Sequence, residues 1–304
     1  VLLEGIWIFT YGEYYNWFDS NVFCTVCCAL PVTLAFCIAR MLHIRHPYID
    51  VAAFKYWKLY PVLGLFMVLE VMCATSKSLQ TPFMSAVLGY GAMTTARLSV
   101  CELAGTLVGC LFVLWWLKVL HQKYTRLLSV GFAAILVYLL SMYLCLTPYV
   151  NIEVFYVPTM LRTFGYAIFF VALTICLEET MPFQHFFMGL TICGFIRNGL
   201  VDSMASAGYA HALRRCIAEY ATHFSSGSPM DFSSLEPGVA AYVAKMNALA
   251  PLMSGVKTLF GCSCLIGCVI LMLFLLYDVE PVRSTLKKMP SWRSVAESVR
   301  RSLS

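Results

Sequence analysis

The sequence predicts an all-α integral membrane protein, a bundle of about seven full transmembrane helices preceded by one truncated N-terminal helix. Three observations carry that expectation. The 304 residues are 60% hydrophobic and only 12% charged, whereas a soluble domain carries about 25% charged residues. Apolar stretches near the length that crosses the hydrocarbon recur along the chain. Prolines and polar residues punctuate the gaps, and lysine and arginine crowd into alternate connections.

Taken in order, residues 1–10 are apolar but too short to span, and read as the end of a truncated helix. The predicted spans are 21–42, 59–80, 94–117, 127–146, 158–178, 184–209 and 256–277. Between them stand His46-Pro47, Thr81-Pro82, Thr147-Pro148, Met181-Pro182 and the polar run 212–251, whose Ser225-Ser226-Gly227-Ser228-Pro229 has the composition of a flexible connection. Pro158 and Pro182 fall near helix starts, where proline is tolerated. Pro31 falls inside a span, where it predicts a kink.

Basic residues set the expected orientation. The connection 40–58 holds Arg40, Arg45, Lys55 and Lys58, and 118–126 holds Lys118, Lys123 and Arg126. The tail adds Arg283, Lys287, Lys288, Arg293, Arg300 and Arg301. Connections 11–20, 81–93 and 147–157 hold none. The basic set is therefore expected on the cytoplasmic side, with a cytoplasmic C-terminus and 212–251 as a long extracytoplasmic loop. The turn at 179–183 departs from this pattern, with no base and with Glu178 and Glu179 before it.

Composition also excludes. A net charge of +5 with no basic patch outside the tail leaves no case for nucleic-acid binding. The 14 cysteines lie in or beside apolar segments except Cys216, in the polar run, so they read as small packing residues, not as a disulfide scaffold or a metal site. No metal or other cofactor is expected. The sequence has no GxxxxGK[ST], HExxH or GxSxG, and of its six histidines His43, His46, His121 and His185 fall at predicted cytoplasmic ends, where an imidazole needs no special role. His46 to Asp50 is one residue short of an acyltransferase-type HxxxxD. The chain is not expected to be an enzyme, and an ion gradient is the expected energy source.

Charges inside spans are costly and mark function by default. With the last six spans numbered 1 to 6, span 1 carries Glu70 and Lys77, span 2 Arg97 and Glu102, span 4 Arg162, and span 5 Arg197 and Asp202. Spans 3 and 6 carry none apart from Lys257 at an edge. This period of three predicts two three-helix repeats whose third helices face lipid, with substrate bound at the repeat interface. Glu70 and Lys77, seven apart, share a helix face, as do Asn198 and Asp202, four apart. In a regular α-helix Arg197 and Asp202 point about 140° apart and do not pair with each other. The substrate and proton pathway candidates are Glu70, Asp202, Arg197, Asn198, Glu102 and Arg162. Gly105 and Gly109 form a GxxxG pair suited to close helix approach.

Several elements resemble, in order and spacing, the EmrB/QacA-type fourteen-helix drug:proton antiporters of the major facilitator superfamily. Gly12 through Trp17-Phe18-Asp19-Ser20 resembles that family's G-x-x-x-x-W-F-x-S. His46-Pro47-Tyr48-Ile49-Asp50-Val51-Ala52-Ala53-Phe54 is similar to its N-P-[IVL]-[IV]-D-L-x-L-F stretch. Pro82 with Gly89-Tyr90, and Phe195-Ile196-Arg197-Asn198, resemble its P-x(6)-G-Y and N-F-x-R-x segments. The cytoplasmic segment from Trp116 to Arg126 lacks the glycines and the acid of the G-x-x-x-D-R-x-G-R-R motif and keeps only its basic character.

The resemblance implies a major facilitator-type bundle. Residues 1–58 would hold the end of one linker helix, a second linker helix and a cytoplasmic loop. Residues 59–280 would be the C-terminal six-helix bundle, and 281–304 a basic cytoplasmic tail. It implies proton-coupled efflux of small amphipathic compounds from a cell inner (plasma) membrane. The implied partners are the small-molecule substrate, protons, the lipid bilayer, the N-terminal half of the same protein and a periplasmic adaptor protein. Glu70 and Asp202 are the candidate protonatable groups, with Arg197 as counter-ion or substrate contact. Two other classes remain open: a non-transporting membrane scaffold, and an intramembrane acyl-transfer-type enzyme using His46 and Asp50.

Overall fold

The computed structural model describes residues 1–12, 14–15, 17–44, 54, 59–120, 124–226 and 237–276. Among the described residues every regular element is helical. The helices are α1 (Leu2–Tyr11), α2 (Asn21–His43), α3 (Leu59–Thr75), α4 (Thr81–Ala86), α5 (Ala92–Trp115), α6 (Tyr124–Cys145), α7 (Tyr156–Thr180), α8 (Phe183–Phe195), α9 (Asp202–Ser226) and α10 (Pro237–Leu276). A π-helical turn at Ser76–Gln80 makes α3 and α4 one continuous rod, and another at Ile196–Val201 joins α8 to α9. A third, Trp116–Leu120, ends α5.

Among the described residues, six helices are long and apolar enough to cross a membrane: Asn21–His43, Leu59–Ala86, Ala92–Lys118, Arg126–Cys145, Ile152–Glu179 and Asn247–Leu273. The chain is a multi-span, all-helical membrane protein. The seventh predicted span, 184–209, is helical but is not among these six. Arg197, Asn198, Asp202, Ser203 and Ser206 dilute its apolar character.

Helix α7 sits at the centre, flanked by α5 and α6. Small residues let it do so. A Cβ added at Gly105 would collide with the Met160 carbonyl oxygen and Thr163 Oγ1, and one at Gly109 would lie 2.9 Å from Ala167 Cβ. One at Gly165 would come within 2.6 Å of the Gly131 carbonyl oxygen on α6. With lipid outside as apolar as any leucine, such close backbone approach is a main source of helix association. Around this core, α3 packs on α7 and α9, while α10 packs on α9 and α6.

Three expectations are corrected. First, span 3 is not the most peripheral helix of its set. Its segment Arg126–Cys145 is 56% buried, against 22% for Ala92–Lys118. Beyond Arg126, α6 carries no charge: Ile135, Tyr138, Leu139 and Met142 are buried against protein, while Val137, Leu140 and Leu144 stay exposed. Span 6, in α10, is largely uncovered, as expected. Second, the stretch 212–251 is not a continuous loop, because α9 runs to Ser226 and α10 starts at Pro237. Its alanine-rich flanks carry strong helix propensity despite their polarity. Helix α10, 40 residues long, reaches about 60 Å, twice the hydrocarbon thickness. Third, Cys216 lies in helix α9, not in a loop. None of the 14 cysteines is in a disulfide.

At the N-terminus, α2 touches α1 and little else of the bundle. Phe23 is fully buried there against Trp7, Trp17 and Phe18, with ring centroids 6.2, 5.8 and 5.7 Å away. Thr33 donates a 2.6 Å hydrogen bond to Glu4 across the two helices. Helix α2 runs unbroken through Pro31. Of the basic connection 40–58, residues 45–53 and 55–58 lie outside the described residues, as does the tail 281–304.

Candidate functional site

Six charged side chains predicted inside the membrane form three ion pairs, each between different helical segments. Glu70 on α3 meets Arg197 at 3.5 Å. Lys77, seven residues further along and inside the π turn Ser76–Gln80, meets Asp202 at 3.0 Å. Glu102 on α5 meets Arg162 on α7 at 2.5 Å. Glu70 and Lys77 therefore share a face, as their spacing predicts.

The two partners on the other strand of this ladder are where regular helical geometry fails. Arg197 and Asp202 do not pair with each other, in line with expectation, yet both face α3. The π turn Ile196–Val201 is the reason. Its wider turn, with i→i+5 hydrogen bonding, brings residues five apart toward one side. Lys77 lies in the facing π turn, Ser76–Gln80. Two rare irregularities thus meet at one charged contact, and π turns concentrate at functional sites.

The three pairs differ in depth. Glu70 and Arg197 expose only 12% and 13% of their side chains, while Lys77 exposes 71% and Asp202 32%. Glu70 lies 11 residues from the start of α3, about 16 Å along it, near the middle of a 30 Å hydrocarbon layer. Arg197 also stacks over Phe170, 4.7 Å from the ring centroid, and donates from Nε to Asn198 Oδ1 at 3.0 Å. Its Nη1 is buried with no hydrogen-bond partner. Arg162 resembles it, with Nε buried and unpartnered and the guanidinium 5.9 Å from the Tyr138 ring. The predicted candidates thus fall into two groups: Glu70, Arg197, Asn198 and Asp202 between α3 and the α8–α9 rod, and Glu102 with Arg162 between α5 and α7.

Sequence reasoning missed the polar groups near them. Gln80 is buried and joins three helices. Its Oε1 accepts from Tyr138 at 3.0 Å and from Ser76 at 3.4 Å, and its Nε2 donates to Thr159 at 3.3 Å. Uncharged polar residues in apolar helices give no strong sequence signal, but buried amides need partners, and a glutamine at the end of the predicted span 59–80 was the available clue. Beside this network, a cavity of about 260 Å³ opens between the α3–α4 rod and the start of α5. Ser76, Gln80, Thr81, Thr95, Ser99 and Glu102 supply its polar lining. Among the described residues no three His, Cys, Asp or Glu side chains lie together as a metal ion would require. His46 and Asp50 lie outside the described residues.

Comparison with protein-family models, with curated proteins and with solved structures finds no match, so no family is identified for this chain.

Proposed function

We propose that this chain is part of a secondary transporter of the major facilitator type, exporting small amphipathic compounds in exchange for protons by alternating access. The observation that carries the reading is the Glu70–Arg197 pair: a charged contact deep between helical segments, with a guanidinium nitrogen left unpartnered. A network built only for stability gains little from such a pair, since apolar residues of the same shape serve as well or better. A network that must open and re-form tolerates incomplete satisfaction.

The mechanism follows from that asymmetry. Arginine stays protonated, so Arg197 is a fixed charge. Glu70 is the partner able to take up a proton. Protonation would weaken the Glu70–Arg197 contact and free the α8–α9 rod to move relative to α3. Coupling requires that proton and substrate stabilise different states. The Lys77–Asp202 pair would act as an outer latch, because it is more exposed and easier to break. The transporter class rests on this geometry. The drug:proton antiporter branch, the N-terminal half as partner and the periplasmic adaptor rest on the sequence resemblance.

The test is Glu70→Gln in the full-length protein. Export of amphipathic compounds should fall to background per molecule of protein inserted in the membrane, a ratio that corrects for any loss of protein through destabilisation. Undiminished export would remove Glu70 from the mechanism.

A further inference from the structure

The cavity between the α3–α4 rod and α5 has an uneven supply of hydrogen-bonding groups. Thr81 Oγ1 gives its proton to the Ser76 carbonyl oxygen at 3.2 Å, and Thr95 Oγ1 gives its proton to the Ala92 carbonyl oxygen at 2.9 Å. Ser76 Oγ gives its proton to Gln80 Oε1. Gln80 Nε2 is directed to Thr159. Each hydroxyl keeps lone pairs after its proton is used. Arg162 engages Glu102 Oε1, and Glu102 Oε2 receives no hydrogen bond among the described residues. The polar wall is thus rich in acceptors, includes one uncommitted carboxylate oxygen, and has Ser99 as its one uncommitted hydroxyl. Met84, Ala92, Ala96 and Leu98 supply an apolar side.

We infer that this cavity binds the head of a small amphipathic primary ammonium ion and discriminates against the quaternary ammonium of the same shape. A wall of acceptors rewards N–H donors, and charge-assisted hydrogen bonds are about twice as strong as neutral ones. A trimethylammonium head carries charge but no donor, so it leaves these acceptors unpaired. Sites built on hydrogen bonding reject analogues that lack the group far more strongly than apolar pockets reject a missing methyl. The inference names a substrate class for the transport reading above and rests on that reading for its biological sense.

The test is equilibrium binding by calorimetry on the full chain in detergent, without any gradient, using phenethylammonium, its N,N,N-trimethyl analogue and 2-phenylethanol. Phenethylammonium should bind at least tenfold tighter than either comparison compound. Glu102→Gln should abolish the preference over the alcohol, but it also strands Arg162 and can damage the fold. Thr95→Val and Thr81→Val lie outside the ion pair and should each weaken phenethylammonium severalfold while leaving the alcohol unchanged. Equal binding of the three probes, no binding of phenethylammonium, or indifference to both threonine variants would overturn the site. Retained ammonium selectivity in a protein that moves no protons would overturn the transport reading and leave the site standing. Proton movement with equal probe binding would do the reverse.

Discussion

Neutralising Glu70 should cost far more stability than neutralising Lys77, although the two sit on one face of one rod. Glu70→Gln leaves the Arg197 guanidinium in a site where both partners were nearly nine-tenths covered. Removing one partner of a buried ion pair costs about 3–5 kcal/mol. The lower end, about 3 kcal/mol, is expected here, because Phe170 at 4.7 Å and Asn198 at 3.0 Å still hold the arginine. Lys77→Gln removes a side chain that is 71% exposed and paired with Asp202. Exposed pairs contribute about 0–1 kcal/mol. The double variant Glu70→Gln/Arg197→Gln removes both charges and should cost at least ~2 kcal/mol less than the sum of its single variants, since coupling between contacting residues runs to about 3 kcal/mol. Equilibrium unfolding in mixed detergent, titrated with dodecyl sulfate, measures all four variants. Equal costs for Glu70→Gln and Lys77→Gln, or a double variant equal to the sum, would refute the assignment of the buried pair.

Three more outcomes follow from the packing. Gly105→Leu should destabilise by about 1–3 kcal/mol through overpacking against the Met160 backbone and Thr163, whereas Gly64→Ala, with nothing within 4 Å of the new Cβ, should stabilise by about 0.5–1 kcal/mol; thermal unfolding of the two variants gives opposite signs if the α5–α7 contact is right. Tyr138→Phe should cost about 0.5–1.5 kcal/mol by removing the hydrogen bond to Gln80, and should lose most of that effect in a Gln80→Leu background. Cys28, Cys262 and Cys268 are uncovered by protein yet lie in apolar spans, so a water-soluble maleimide should leave them unmodified in intact membranes and label them after denaturation; fast labelling in membranes would contradict their placement in lipid.

The spans and the charged candidates were legible in the sequence because hydropathy and intramembrane charge are strong, local signals. Glu70 and Lys77 could be placed on one face because α3 is regular between them up to Thr75. Arg197 and Asp202 could not be placed on one face, because a π turn leaves no trace in a pattern read at 3.6 residues per turn. The position of α6 was misread for a different reason: a helix without charges is equally compatible with lipid and with a packed interior. Gly131, opposite Gly165, was the residue that favoured the interior. The run 212–251 was judged by polarity, which separates membrane from water, when helix propensity was the quantity that mattered. The Gln80 network depends on three helices meeting, a tertiary fact with no one-dimensional signature.

The central claim is that these helices move a compound in exchange for protons. The most direct measurement is compound-induced proton movement in inverted membrane vesicles carrying the full-length protein, with cationic and neutral amphipathic compounds. The account predicts proton release that depends on the added compound and disappears in Glu70→Gln. Absence of proton movement with every compound, in vesicles where the protein is inserted, would contradict it.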